Sequence, residues 1–220
     1  MTRVKICGLM DTKAATAAAQ AGADFLGILF APSRRQLPPE KGKELADAIH
    51  RLKQPPLLVG VFVNTPETEL NATAALCQLD FVQLSGDESW RYCRRIEYPI
   101  IKVIHISRET QSAQVLSEIE TGLATPLKHP PLFLLDSKGG SYGGGSGKTF
   151  NWQLAAEVAA QHPVIVAGGL NPANITELVN KARPWGVDVS SGVESEGAKD
   201  TAKIREFIEA VRQAGSRDTA

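Results

Sequence analysis

Cysteine is scarce in this 220-residue chain: there are three, and none sits in a Cys-x-x-Cys pair. An odd, unspaced set excludes a disulfide framework and points to free thiols in a reducing compartment, so a cytoplasmic location is expected. Histidine is also sparse, with four residues that fit no metal-ligand spacing. Neither sign of charge is in excess, because 24 basic residues balance 24 acidic ones without a long charged block. That balance removes the bulk-charge route to nucleic acids or to a membrane surface. No apolar run approaches the roughly 20 residues of a membrane span. Met1-Thr2-Arg3-Val4-Lys5-Ile6 enters a strand pattern at once, which leaves no room for a signal peptide.

Two nucleotide-binding signatures are missing as well. Gly147-Lys148-Thr149 ends like a phosphate loop, yet the position that needs the first glycine of that loop holds Tyr142. Phe150-Asn151-Trp152 also intervene where a helix should open directly. An open, doubly wound sheet would want Gly-x-Gly-x-x-Gly after the first strand and an acid after the second. Cys7-Gly8-Leu9-Met10 and Phe30-Ala31-Pro32 offer neither.

What the chain does have is regular alternation. Short apolar, β-branched runs predict strands at Val4–Cys7, Phe25–Phe30, Leu57–Val63, Phe81–Leu84, Ile100–Ile106, Leu132–Asp136, Val164–Gly168 and Val187–Ser190. Helical patterns lie between them at Asp11–Ala21, Pro39–Leu52, Pro66–Cys77, Glu88–Arg95, Glu109–Ile119, Asn151–Ala160 and Asn171–Lys181, and Asp200–Ala214 closes the series. Asp11 or Thr12 reads as the first N-cap. Asn171 followed by Pro172 reads as another, and Pro39 and Pro66 open their helices. Eight strand–helix units in series mean parallel strands joined by right-handed crossovers. The fold class is therefore α/β, a single (β/α)8 TIM barrel with eight parallel strands. It covers residues 1–214, with 215–220 as a frayed tail.

Strand alternation then says which groups face the lumen. Lys5 and Cys7 do so on the first strand, Gln83 and Ser85 on the fourth, Leu134 and Asp136 on the sixth, and Asp188 and Ser190 on the eighth. Barrel chemistry lies where strands end at the C-terminal rim, and Cys7 and Asp136 both occupy such ends. A buried cysteine ordinarily behaves as a small hydrophobe. Lys5 on the same face favours a different role, because a cation lowers a thiol's pKa from about 8.5 and supplies thiolate as a base. Asp136 reads either as a turn acid bonding its own loop or as a general acid. The second role needs a raised pKa, which burial under the glycine-rich stretch 138–149, read as a mobile loop, would favour. Cys77 and Cys93 fall in helices and read as structural.

Gly168 and Gly169 after the seventh strand, and Ser190, Ser191 and Gly192 after the eighth, form a candidate phosphate site. Glycine admits close backbone approach, and a short helical turn adds N–H donors. Lysine and arginine are not concentrated there, so backbone donors would carry the binding. In Pro32-Ser33-Arg34-Arg35-Gln36, either arginine could clamp a carboxylate from the rim.

Together these residues carry a family resemblance. Lys5-Ile6-Cys7-Gly8, Gly60-Val61-Phe62-Val63, Val82-Gln83-Leu84-x-Gly86 and Leu134-Leu135-Asp136 occur in order. So do Gly144 to Thr149 with Phe150-x-Trp152, Gly168-Gly169-Leu170 with Asn174, and Val187 to Glu194 with Gly197 and Lys199-Asp200. This set resembles phosphoribosylanthranilate isomerase over essentially the whole chain. The resemblance implies a cofactor-free Amadori rearrangement of N-(5-phosphoribosyl)anthranilate in tryptophan biosynthesis. It implies Asp136 as general acid, Cys7 as general base and Arg35 rather than Arg34 as the carboxylate ligand. Phosphate would rest on Gly168, Gly169, Ser190, Ser191 and Gly192, with Lys5, Gln83 and Asp188 in support. The partner is then a small phosphosugar, and the protein a monomer or homodimer. Two departures stand out, since many members have His at Ser85 and Asp at Asn151. Neither removes an assigned group, and Asn151 can cap a helix as Asp does. The histidine-pathway isomerase is the nearest rival, but its family resembles a two-fold repeat with an aspartate where Cys7 stands here. A phosphate-binding barrel without catalysis is a third reading.

Overall fold

The structure, a computed structural model, describes residues 1–137 and 151–216. Among the described residues eight strands form the barrel: β1 (Arg3–Cys7), β2 (Phe25–Leu29), β3 (Leu57–Phe62), β4 (Phe81–Leu84), β5 (Ile100–Ile106), β6 (Leu132–Ser137), β7 (Val164–Val166) and β8 (Gly186–Val189). They pair in sequence order, all parallel, and β8 closes on β1. The helices are α1 (Thr12–Gln20), α2 (Pro39–His50), α3 (Glu67–Leu76), α4 (Trp90–Cys93), α5 (Ser112–Ala124), α6 (Trp152–Ala159), α7 (Ile175–Ala182) and α8 (Thr201–Ser216). A 3-10 turn over Ser191–Val193 and a small hairpin, β9 (Glu194–Ser195) and β10 (Ala198–Lys199), separate β8 from α8.

Parallel strands buried on both faces explain the near-continuous apolar runs. Val4 and Ile6, Leu26 and Ile28, and Val187 and Val189 pack outward with the helices. Phe25, Val59, Ile101, Val103, Leu134, Ile165 and Ala167 fill the lumen. At the N-terminal end Phe25 meets Phe81 edge-on at 5.8 Å, and Arg3 lies over Trp185 at 4.4 Å. The lower lumen is thus solid, and polar side chains collect only above it, at the C-terminal rim.

Asp11 caps α1, accepting from the Ala14 N–H at 2.8 Å, and Pro39 stands at the first position of α2. Several boundaries differ from expectation, each for a local reason. Helix α7 starts at Ile175, not Asn171, because Asn171 is used in a turn: its Oδ1 accepts from Ala173 N while its own N–H donates to Asn174 Oδ1. Helix α4 shrinks to four residues because Glu88 serves the preceding loop, accepting from the N–H groups of Asn64 and Gly86. Pro66 precedes α3 as its N-cap and is not part of the helix. Strand β7 stops at Val166, and both Gly168 and Gly169 take positive φ. Helix α8 runs on to Ser216, two residues into the expected tail. The glycine-rich stretch expected to form a mobile loop lies outside the described residues.

Among the described residues no helix is long and apolar enough to cross a membrane. None of their His, Cys, Asp and Glu side chains form a group of three placed to hold a metal ion.

Candidate active site

The polar rim is organised by one ion pair. Lys5 on β1 and Asp188 on β8 are register partners, and Lys5 Nζ donates to Asp188 Oδ1 at 3.0 Å with the ammonium almost wholly buried. Burial works against charge on Lys5, but Asp188 and the neighbouring Cys7 outweigh it and raise its pKa, so Lys5 stays an ammonium at neutral pH.

Cys7 is buried one turn of the alternation above Lys5 and feels that ammonium directly. Here the structure corrects the sequence expectation. Burial pushes the Cys7 thiol above its ordinary value; Lys5 and Lys199 pull it down, Asp188 pushes it further up, and burial prevails. A lysine already paired with a carboxylate gives the thiol only part of its charge.

Asp136 stands at the same rim on β6, partly open to the mouth. Burial raises its pKa to about 7, helped by the negative charge of Asp188 and opposed by the Ser137 N–H and Lys5. The expected direction is therefore present. The loop expected to cover Asp136 lies outside the described residues. Cys7 and Asp136 both respond to the Lys5–Asp188 pair, which places an acid of near-neutral pKa and a thiol around one charged centre.

The two candidate phosphate loops interlock. A side chain at Gly192 would meet the Leu170 carbonyl oxygen at 1.8 Å, so only glycine lets the β8 turn seat against the β7 loop. Gly168, at φ +88°, lies close enough to Asp136 that a Cβ there would be 3.0 Å from Oδ1. Asn174 Nδ2 donates to Gly169 O at 2.9 Å and fixes the β7 loop. Ser190 borders Gly8, where an added Cβ would lie 3.0 Å from its Oγ and 2.5 Å from Arg35 Cδ. The β1, β2 and β8 loops therefore converge beside Cys7.

Arg35 is in place at the rim but already engaged, donating from Nε and Nη2 to the Glu194 carboxylate at 2.6 and 3.0 Å. Arg34 donates to the same carboxylate and is mostly exposed. Lys199 Nζ donates to Glu194 Oε1 at 3.0 Å and to Ser190 O at 2.8 Å. A buried lysine therefore sits at the candidate phosphate turn, which sequence reading had assigned to backbone donors alone. Glu194 and Lys199 face each other as hairpin register partners, a signal available only once β9 and β10 are seen.

Gln83 is buried on β4; its Nε2 donates to Ser85 Oγ at 3.1 Å and its Oε1 has no partner. His105, missed by sequence reading, is the register partner of Asp136. Ile104 and Ile106 face α5 while Val103 faces the lumen, so His105 points inward. Its Nε2 lies 3.0 Å from Ser85 O and its Nδ1 is buried without a partner. A histidine between two outward isoleucines was the available signal. Asn151 caps α6, accepting from Gln153 N at 2.9 Å, as expected for a replacement of Asp. Cys77 and Cys93 are buried thiols, each raised to about 11 by desolvation, away from the lumen in the layer between strands and helices.

Comparison with known proteins fits this arrangement. The family model described as N-(5'phosphoribosyl)anthranilate (PRA) isomerase matches residues 4–210. The N-(5'-phosphoribosyl)anthranilate isomerase of Dehalococcoides mccartyi is 50% identical over 214 residues, covering 97% of both chains. The crystal structure of phosphoribosyl anthranilate isomerase from Thermotoga maritima superposes with a TM-score of 0.83 at 35% identity, over 97% of this chain and 100% of that one. A further phosphoribosyl anthranilate isomerase, solved with reduced 1-(o-carboxyphenylamino)-1-deoxyribulose 5-phosphate, superposes at 0.80 with 30% identity, over 97% of this chain and 100% of that one. A (β/α)8 barrel with a charged C-terminal rim and this likeness along nearly its full length, the chain belongs to the N-(5'-phosphoribosyl)anthranilate isomerase family.

Proposed function

We propose that this enzyme converts N-(5-phosphoribosyl)anthranilate to 1-(2-carboxyphenylamino)-1-deoxyribulose 5-phosphate, an Amadori rearrangement in tryptophan biosynthesis, with Asp136 as acid and Cys7 as base. The observation that carries the reading is the Asp136 carboxyl at about 7, on the same rim as the Cys7 thiol and flanking the same Lys5–Asp188 pair. A carboxyl with that pKa is about half protonated at neutral pH and can give up a proton, which an ordinary aspartate at about 3.9 cannot.

The protons balance as follows. Asp136 protonates the furanose ring oxygen as the C1′–O bond breaks, and the anilino nitrogen's lone pair forms an iminium at C1′. Cys7, as thiolate, removes the proton from C2′, and those electrons form the C1′=C2′ bond of an enolamine. Tautomerisation moves hydrogen from the 2′-hydroxyl to C1′, and the proton taken up by Cys7 is released to solvent as solvent reprotonates Asp136, which restores both groups. One substrate carbon is oxidised while its neighbour is reduced, so the reaction needs no external electron carrier. The Lys5 ammonium offsets the thiolate and the Asp136 carboxylate that appear in turn.

Gly168, Gly169, Ser190, Ser191 and Gly192 would hold the phosphate, and Arg35 the anthranilate carboxylate. Since the Nε edge of Arg35 already serves Glu194, the substrate would meet the Nη1 end. Following anthranilate fluorescence, Cys7→Ser and Asp136→Asn should each lose roughly a hundredfold to ten-thousandfold in turnover with the fold intact. Unchanged rates in either variant would remove that residue from the mechanism. If the unsubstituted protein shows no turnover, the barrel binds phosphosugars without performing this reaction.

A further inference from the structure

Glu194 holds more positive charge than it can neutralise. Its Oε1 accepts from Arg35 Nε at 2.6 Å and Lys199 Nζ at 3.0 Å, and its Oε2 accepts from Arg34 Nη2 at 2.5 Å and Arg35 Nη2 at 3.0 Å. Three cations around one carboxylate leave a net charge of +2 at this corner of the rim. The side chains of Glu194 and Lys199 are 6% and 3% exposed, so water screens them little. Arg34 is mostly exposed and screened by water, but the more buried Arg35 and Lys199 alone already exceed the single charge of Glu194.

The cations also point in different directions. Arg35 enters from the β2 loop, and its Nη1 end is left without a Glu194 contact. Lys199 enters from β10 and continues past the carboxylate to Ser190, donating to its carbonyl at 2.8 Å and lying 3.4 Å from its Oγ. Ser190 opens the turn of Ser191 and Gly192, which is locked to the β7 loop at Leu170. One carboxylate therefore joins the arginine on one side to the turn of the candidate phosphate site on the other. The backbone of Glu194 is itself anchored, its carbonyl accepting from Lys203 Nζ at 2.9 Å.

We propose that Glu194 is a positioning residue for recognition of the aryl carboxylate: it sets the Nη1 end of Arg35 toward that group, while Lys199 on its other side holds the Ser190 turn by its own bond to the Ser190 carbonyl. The inference deepens the proposed function, because it rests on Arg35 as the carboxylate ligand. Substrate anions meet the surplus positive charge without displacing Glu194, whose carboxylate is held by charge-assisted bonds from two loops. The arrangement gives specificity for an ortho-carboxylated arylamine, since an amine lacking that group would leave the charged arginine end unpaired.

The test is binding of the reduced product analogue and of the same compound without its carboxyl group, measured by titration calorimetry. Glu194→Gln keeps size and removes charge. It should weaken the carboxylated analogue roughly tenfold to a hundredfold, as expected when a binding group is misplaced by about an ångström, and the decarboxylated analogue by no more than about threefold. Arg35→Met, measured in parallel, should show the same selectivity. If Arg35→Met is selective but Glu194→Gln weakens both analogues alike, or neither, this inference is overturned and Arg35 keeps its role. If Arg35→Met is itself unselective, the carboxylate assignment of Arg35 falls and this inference falls with it. Should Glu194→Gln fail to fold, Glu194→Asp, which keeps the charge and shortens the reach to Arg35, decides by the same selectivity.

Discussion

Replacing Asp136 with asparagine should destroy turnover and stabilise the fold above neutral pH. The Asp136 carboxyl rises from 3.8 to about 7 in the folded barrel, chiefly through burial and then the charge of Asp188. A raised pKa means that the native state binds the proton more tightly than the unfolded chain does. The associated stability is fully present below about pH 4 and declines as pH rises, until it is lost above about 7. With 1.36 kcal/mol per unit, a shift of about 3 units corresponds to roughly 4 kcal/mol of destabilisation at pH 8 relative to pH 4. Asparagine has nearly the same shape and no charge, so the variant escapes that loss. At pH 8 it should unfold later in urea by up to about 4 kcal/mol, or melt about 10 °C higher in a chain of this size. Near pH 4, where the native carboxyl is already protonated, the two proteins should converge. Equal stability at both pH values, or a variant weaker at pH 8, would refute a carboxyl raised by its surroundings and with it the source of the acid.

Other consequences follow from the same geometry. If Asp136 acts protonated near 7 and Cys7 acts as thiolate from a value above its ordinary one, kcat/KM should be bell-shaped, with a lower midpoint near 7 and its maximum on the alkaline side; a maximum well below pH 7 contradicts the pairing. Lys5→Met leaves Asp188 buried and alone and should cost about 3–5 kcal/mol in denaturant unfolding. The double variant Lys5→Met with Asp188→Leu should recover most of that stability but not the activity. Asp24→Ala removes the acceptor of the Val4 N–H at 2.7 Å and a partner of Arg212, and should cost about 2 kcal/mol in stability while kcat stays within about twofold.

The barrel was legible because each strand announces itself twice, by a short β-branched run and by the glycine, proline or capping residue that ends it. Alternation along those runs also put Lys5, Cys7, Gln83, Asp136 and Asp188 on the inner face correctly. What stayed hidden depends on distance in space. Glu194 and Lys199 meet only through a hairpin of two-residue strands, too short to leave a periodic pattern. The sign of the thiol's shift could not be read from Lys5 alone, because it turns on how much burial surrounds Cys7 and how far Asp188 absorbs the lysine's charge. Asn171 misled because its side chain bonds its own turn, which has the same sequence signature as a helix cap.

The most direct measurement is titration of the Asp136 side-chain carboxyl by carbon-13 NMR in the unliganded enzyme, its resonance assigned by loss in Asp136→Asn. A midpoint close to 7 is expected. A midpoint near 4 would leave no proton on that group at neutral pH and would contradict the proposal that it is the acid that opens the sugar ring.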